Sequence, residues 1–194
     1  MASKLKTDIL ETVSGSGTIA LTNQLSGMTS ASMPSGSVVQ VVNAKTSTLV
    51  ISTSNTFINT GLTATITPTS TSSKVLVMVS FCWAGATDSS PKFKLAGGNA
   101  DDFVGAAAGD RVRVAYYAAD DYFNGSGNAG NETAFNAFIQ YLDSPASTSQ
   151  QTYKLQAETD ANGDYYINRT NADVNDAAEG GRSASSITVM EIAG

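Results

Sequence analysis

Short runs in which apolar and polar residues alternate follow one another along most of the chain. Alternation with a period of two is typical of half-buried β-strands. From Ser37 onward it predicts ten strands and no convincing helix: Val38–Val42, Thr48–Ser52, Leu62–Ile66, Lys74–Trp83, Lys92–Leu95, Val112–Tyr117, Ala134–Leu142, Thr152–Ala157, Tyr165–Asn168 and Ser186–Ile192. Turn residues separate them at Asn59-Thr60-Gly61, Thr67-Pro68-Thr69, Asp143-Ser144-Pro145 and Asn162-Gly163-Asp164. We therefore expect an all-β fold, an antiparallel sandwich of the jelly-roll type.

One segment breaks the alternation. The run "TSSKVLVMVSFCW", residues 71–83, passes from hydroxyl-rich sequence into a nearly unbroken apolar stretch. Strict alternation would turn four side chains toward the sandwich interior, namely Val75, Val77, Val79 and Phe81. Leu76, Met78 and Cys82 would then form an apolar stripe on the other face, which soluble proteins rarely leave exposed. We expect a second layer to cover it, either a trimer interface between copies of the chain or the N-terminal segment.

The first 36 residues differ from the rest. Leu5, Ile9, Leu10 and Val13 precede glycine- and serine-rich sequence, and the segment is too short to build its own core. We predict an attachment or intertwining arm over residues 1–36 and one sandwich domain over residues 37–194. The N-terminus lacks the apolar core of a signal peptide, and no apolar run is long enough to span a membrane. We therefore expect no secretory leader and no membrane insertion.

The amino-acid composition excludes several classes of partner and of catalytic site. The chain has 194 residues, a net charge of -6 and eleven scattered Lys and Arg residues, so we expect no nucleic-acid partner. It has no histidine and a single cysteine, which excludes an intrachain disulfide, the usual zinc sites and imidazole-based triads. We expect a non-enzymatic protein with no cofactor and no metal site. A carboxylate-based polysaccharide depolymerase is the enzymatic alternative.

An aromatic and acidic cluster is the main candidate for ligand binding. Tyrosine rings can stack on the apolar face of a sugar, while Asp and Asn side chains bond its hydroxyls. The candidates for glycan binding are Tyr116, Tyr117, Asp120, Asp121, Tyr122 and Asn124. The alternative is that alternate aromatic rings pack in the core. A second grouping consists of Tyr165, Tyr166 and Arg169.

Two other features have simpler structural explanations. Asp160, Asn162 and Asp164 stand at alternate positions like the start of a calcium loop, but no distal Glu follows in register. This favours an Asn-Gly hairpin turn. Cys82 has no histidine to activate it, which favours a small buried side chain over a nucleophile.

Several segments together resemble a known family. They are "NTGLTATITPTSTSSKVLVMVSF", "YLDSPASTSQQTYKLQ", "YYINRT", "SSITVMEIAG" and the lead-in "SGSGTIALTNQLSGMTSASMPSGSVVQVV". They resemble the C-terminal domain of small fibre and structural proteins of tailed bacteriophages, especially marine, cyanophage-like ones. The resemblance covers most of the chain except residues 88–131.

The resemblance implies a homotrimeric jelly roll broadly similar to tumour necrosis factor and C1q, located in the virion. The function that we expect is a tail fibre or receptor-binding tip that contacts the host cell surface. Its partners would be other virion proteins, through the N-terminal arm, and host surface polysaccharide. The alternative is a capsid decoration (cement) or head-fibre protein with the same fold. The family pattern consists of strand and turn residues, so it implies no catalytic or ligand-binding residues.

Overall fold

The computed structural model describes residues 33–86, 89–118, 134–160, 163–172 and 180–194. These residues form ten strands: β1 (Val38–Thr46), β2 (Val50–Ser52), β3 (Ile58–Ile66), β4 (Lys74–Gly85), β5 (Lys92–Ala96), β6 (Tyr116–Tyr117), β7 (Phe135–Asp143), β8 (Gln151–Glu158), β9 (Tyr165–Ile167) and β10 (Ser185–Ile192). A short 3-10 turn, Ala100–Asp102, follows β5, and the described residues contain no α-helix. Each strand overlaps one predicted from the alternation. The all-β prediction is confirmed.

The strands form two antiparallel sheets. In the larger sheet the order is β1-β10-β4-β9-β2, and β7 pairs with the other edge of β4. β10 pairs with β4 over residues 74–80 and β9 pairs with it over residues 83–85, so these two strands lie end to end. β1 and β2 lie end to end beside them. The smaller sheet has the order β3-β8-β5-β6.

The inner faces of the two sheets enclose one hydrophobic core. Val75, Val77, Val79 and Phe81 of β4 are each at most 1% exposed, as the alternation predicts. The smaller sheet contributes fully or nearly fully buried residues from β3, β5 and β8: Leu62, Ala64, Ile66, Phe93, Leu95, Tyr153, Leu155 and Ala157. Each large apolar side chain buried here contributes about 1.5–3 kcal/mol. The core therefore joins the two sheets into a sandwich.

Asn168 closes the junction where the short strands meet end to end. It follows β9 with φ +66°, a left-handed conformation that Asn adopts more readily than most residues. Its side-chain amide donates to the carbonyls of Thr46 and Thr48, at the gap between β1 and β2, at 3.2 and 2.9 Å. Its Oδ1 accepts a 2.6 Å bond from the Ser185 hydroxyl, and its N–H donates to the Cys82 carbonyl. These bonds satisfy backbone groups at a fully buried position.

A buried carboxylate fastens the β3–β4 connection to β10. Glu191 accepts 2.7 Å bonds from the N–H and hydroxyl of Thr69 and from the hydroxyl of Ser73. It also accepts a 2.6 Å bond from the Gln40 amide. Burial by itself would raise the pKa of Glu191, but these hydrogen bonds outweigh it and hold the pKa below its ordinary value of 4.5.

Two local predictions are wrong. Asn59-Thr60-Gly61 was expected to turn the chain, but it lies inside β3, where the register against β8 shifts between Asn59 and Thr63. Gly61 has φ +85°, so these residues form an irregularity within a strand. The strand predicted over residues 112–117 is only two residues long, β6. The arm predicted over residues 1–36 lies, as far as residue 32, outside the described residues and stays a prediction.

Asn168→Asp replaces the donating amide by a carboxylate that faces two carbonyl oxygens. We expect it to lower the free energy of unfolding by about 2–4 kcal/mol, because two backbone acceptors lose their donor and a carboxylate is buried against them. Urea denaturation measures the change. Asn55→Asp, the same substitution at an exposed position of the β2–β3 connection, should cost less than about 0.5 kcal/mol. Equal losses in the two variants would contradict the junction role.

Glu191 gives the fold a specific dependence on pH. A carboxyl whose pKa is lower in the folded chain contributes stability above its unfolded pKa, and this contribution is lost as the pH falls through the folded value. Glu191→Gln keeps the shape but removes the charge, and we expect it to cost about 1–3 kcal/mol at neutral pH. The difference from wild type should shrink below about pH 4.5, as unfolding curves at several pH values can show. A difference that is independent of pH would contradict this role, and Asp110→Asn, at an exposed position, is the control.

Candidate binding site

The two tyrosines of β6 lie on opposite faces of the smaller sheet. Tyr116 packs edge-on against Phe81 and Trp83, with centroids 6.1 Å apart in both pairs, and lies 5.9 Å from Phe93. Tyr117 is 53% exposed on the outer face. Of the two tyrosines predicted for glycan binding, Tyr116 is therefore part of the core, whereas Tyr117 is accessible to a ligand.

The other four predicted glycan-binding residues lie outside the described residues. They are Asp120, Asp121, Tyr122 and Asn124. Their contribution to a site stays a prediction.

The second grouping, Tyr165, Tyr166 and Arg169, is largely closed to ligands. Tyr165 is fully buried and Tyr166 nearly so. The Arg169 guanidinium lies 4.6 Å from the centroid of the Tyr166 ring. Burial, assisted by the neighbouring Asp164 carboxylate, raises the pKa of the Tyr166 phenol. The geometry favours a structural role for these residues.

Tyr117 borders an open cleft beside β5. Lys92, Arg111, Val112 and Val114 line the rest of the cleft, which has a volume of about 500 Å³. The two valines provide apolar surface, and the Lys and Arg side chains provide positive charge. Sequence reasoning missed these four residues. The available signal was "RVRV", an alternation of cationic and apolar residues just before the two tyrosines.

Cationic side chains continue from this cleft over the outer face of the smaller sheet. Lys92 and Lys94 are alternate residues of β5, and Lys154 lies on the neighbouring strand β8. Lys92 is the cross-strand partner of Tyr117 and forms a 3.9 Å ion pair with Glu158. Positive charge therefore extends across two strands.

Aromatic and amide groups lie among these lysines. The amine of Lys94 is 4.8 Å from the centroid of the Phe57 ring and 3.2 Å from Asp101. The Gln156 amide donates a 3.0 Å bond to Asn59. Together with Tyr117, this face offers cations, aromatic rings and hydrogen-bonding amides to a ligand.

The outer face of the larger sheet has the opposite character. Val41 of β1, Met190 of β10, Leu76 of β4 and Leu142 of β7 are successive cross-strand partners and form one apolar row. Val41 and Leu142 are 53% and 47% exposed, and Leu76 is half-buried. Met78, also half-buried, adjoins this row on the same face. The predicted stripe through Leu76 and Met78 is thus part of a wider apolar patch.

Cys82 is the exception among the three residues predicted for the trimer interface. It is only 5% exposed within one chain. The hydroxyl of Ser185 accepts its backbone N–H at 3.2 Å, and the N–H of Asn168 donates to its carbonyl, so the junction described above surrounds this position. A single chain already covers Cys82, and only Leu76 and Met78 remain as predicted interface residues.

Two buried carboxylates flank Val75 on the inner face of the larger sheet. Asp143 and Glu191 are both cross-strand partners of Val75, which places their Cα atoms about 10 Å apart. Asp143 accepts a 2.6 Å bond from the Tyr153 hydroxyl and a 3.2 Å bond from the N–H of Asn99. Burial first, and then Asp143, raise the pKa of Tyr153. Both acids are fully buried, so neither can reach a polymeric substrate in the way that glycosidase carboxylates do.

Within the described ranges, no three His, Cys, Asp or Glu residues come together as a potential metal site. Asn162, the central residue of the calcium-like spacing, lies outside those ranges. In the same part of the chain, no helix has the length and apolar character needed to cross a membrane.

Comparison with models of known protein families gives no match, and comparison with curated proteins gives none either. We therefore infer the function from the geometry of the two outer faces of the sandwich.

Proposed function

We propose that this protein is a non-enzymatic virion protein of a tailed bacteriophage, a homotrimeric tail fibre or receptor-binding tip that contacts the host surface. The observation that carries the proposal is the apolar row Val41, Met190, Leu76 and Leu142 on the outer face of the larger sheet. Soluble proteins rarely expose such a row without a partner. A neighbouring copy of the chain would cover it.

The strand pairing supports a jelly roll as the architecture. Four antiparallel pairs, β1 with β10, β3 with β8, β4 with β7 and β5 with β6, nest one inside the next along the chain. They fall alternately in the larger and the smaller sheet. Wrapping one long hairpin of four strand pairs into two sheets produces this order. The segment resemblance adds the three-fold symmetry and the virion location.

The buried acids support a non-enzymatic role. Asp143 and Glu191 are held by donors from within the chain and are closed to solvent, so the depolymerase alternative has no accessible carboxylate pair in them. A capsid decoration protein remains the second candidate, because the same apolar row could pack against capsid subunits. Imaging of the intact particle distinguishes a tail position from a head position.

Met78→Asp places a charge on the half-buried apolar face beside Leu76. We expect wild-type protein to have three times the 20.0 kDa chain mass by light scattering, and the variant to dissociate at least about tenfold more readily. Leu142→Lys changes an exposed edge-strand position, so its effect should not arise from unfolding.

Ser149→Asp is the matched control, since it adds the same charge at an exposed position in the β7–β8 connection. It should leave the mass unchanged. A monomeric wild-type chain would contradict the trimer and leave residues 1–36 as the cover of the apolar row. A stable trimer in both Met78→Asp and Leu142→Lys would show that the interface lies elsewhere.

A further inference from the structure

We propose that the outer face of the smaller sheet binds a carboxylate-bearing polysaccharide, with the Tyr117 cleft as its main contact. We call this surface the cationic face. It is formed by Lys92, Lys94, Lys154 and Arg111, with Tyr117 and Phe57 among them. The inference deepens the proposed function and rests on it for the host-surface setting, whereas the binding itself can be measured on the isolated protein.

The cationic face carries positive groups, whereas the chain as a whole has a negative net charge. The whole protein has eleven Lys and Arg residues and seventeen Asp and Glu residues. Among the side chains that the structure describes on and beside the cationic face, four cations are accompanied by three acids, of which Glu158 pairs with Lys92, Asp101 pairs with Lys94, and Asp110 precedes Arg111. Burial also raises the pKa of Glu158, although Lys92 and Lys94 oppose this shift. An anionic ligand is therefore the complementary partner.

The spacing of the cations suits a polymer better than a small ion. Lys92 and Lys94 lie two residues apart on β5, and Ala96, two residues further on, is the cross-strand partner of Lys154. At about 3.3 Å per residue, the rows of Lys92 and Lys154 are about 13 Å apart along the strands. A single anion cannot contact both rows. A chain with a charge on successive units can.

The rings and the guanidinium favour sugars that carry carboxylates. The exposed ring of Tyr117 and the neighbouring Val112 can pack against the apolar face of a sugar ring. Arg111 lines the same cleft, and a guanidinium binds carboxylates in a bidentate geometry that Lys cannot reproduce. Within the described residues its guanidinium donates one 3.5 Å bond, to the Ala108 carbonyl. The Gln156 and Asn59 amides lie among the lysines on the same face of the sheet, where they can bond the hydroxyls of a sugar.

A nucleic acid is the less favoured polyanion. Its binding depends on neutralising many closely spaced phosphates, and the net charge of -6 on the whole chain opposes this. A uronate polymer has fewer charges per unit length and offers apolar ring faces for Tyr117. The neutral form of the same sugar provides a direct test of the carboxylate requirement.

The experiment is calorimetric titration of the full chain with hexagalacturonate and with its methyl ester, which has the same sugars without the charges. We expect the acid form to bind and the ester to bind at least about tenfold more weakly. Arg111→Gln and Tyr117→Ala should each weaken binding of the acid form at least about fivefold. Lys45→Gln, which removes one exposed charge from β1 of the other sheet, should change it by less than about twofold.

Light scattering on the same samples reports assembly separately, so a failure of the trimer and a failure of binding are distinguishable. Equal binding of acid and ester would overturn the carboxylate requirement. An unchanged affinity in both Arg111→Gln and Tyr117→Ala would place binding elsewhere, and no binding to either sugar would reject the site. Equally tight binding of a single-stranded oligonucleotide or of dextran sulfate would show a general polyanion surface and overturn the saccharide proposal.

Discussion

The pairing of β4 along its whole length is the interaction on which the rest of the sandwich depends. It has twelve residues, of which 75–83 pair with β7 on one side, while 74–80 pair with β10 and 83–85 with β9 on the other. Its inner side chains from Val75 to Phe81 form the centre of the core. Neither β9 nor β10 is long enough to cover β4 alone, so the sheet must be closed at the point where they meet. Asn168 provides this closure because one side chain reaches the carbonyl of Thr46 at the end of β1 and that of Thr48 in the connection to β2.

Polar groups fix the two ends of β4, while apolar packing fixes its middle. At the Val75 end, Glu191 and Asp143 lie on either side. Glu191 bonds to the β3–β4 connection, and Asp143 bonds to Asn99, which follows β5 of the smaller sheet. At the other end, Ser185 and Asn168 bond to the backbone of Cys82. Buried hydrogen bonds contribute modest net stability but disfavour arrangements that would break them. The register of the central strand is therefore specified from both ends.

Alternation predicted the strands because a sandwich strand has one buried face. The residues on that face are apolar, so the pattern is visible in the sequence of each strand alone. The same local information could not distinguish a turn from an irregularity at Gly61, since a positive φ serves both. For Cys82 the sequence left two hypotheses, an outward-facing interface residue and a small buried side chain, and the structure shows the residue buried within one chain. Alternation predicted Leu76 in the apolar row, but it missed the rest of that row and the cationic face. Each consists of side chains from several strands, and only the pairing order brings Val41 beside Met190, or Lys154 beside Ala96.

The apolar outer face of the larger sheet and the cationic outer face of the smaller sheet can serve assembly and ligand binding at the same time. They belong to opposite layers of one sandwich, so covering the apolar face of the larger sheet leaves the cationic face of the smaller sheet open. Assembly and ligand binding would then make no competing demand on the same residues. An assembly held through the larger sheet would present several cationic faces at once, and linked weak sites bind a repeating polymer far more tightly than one site does. A single face of modest affinity would therefore be sufficient.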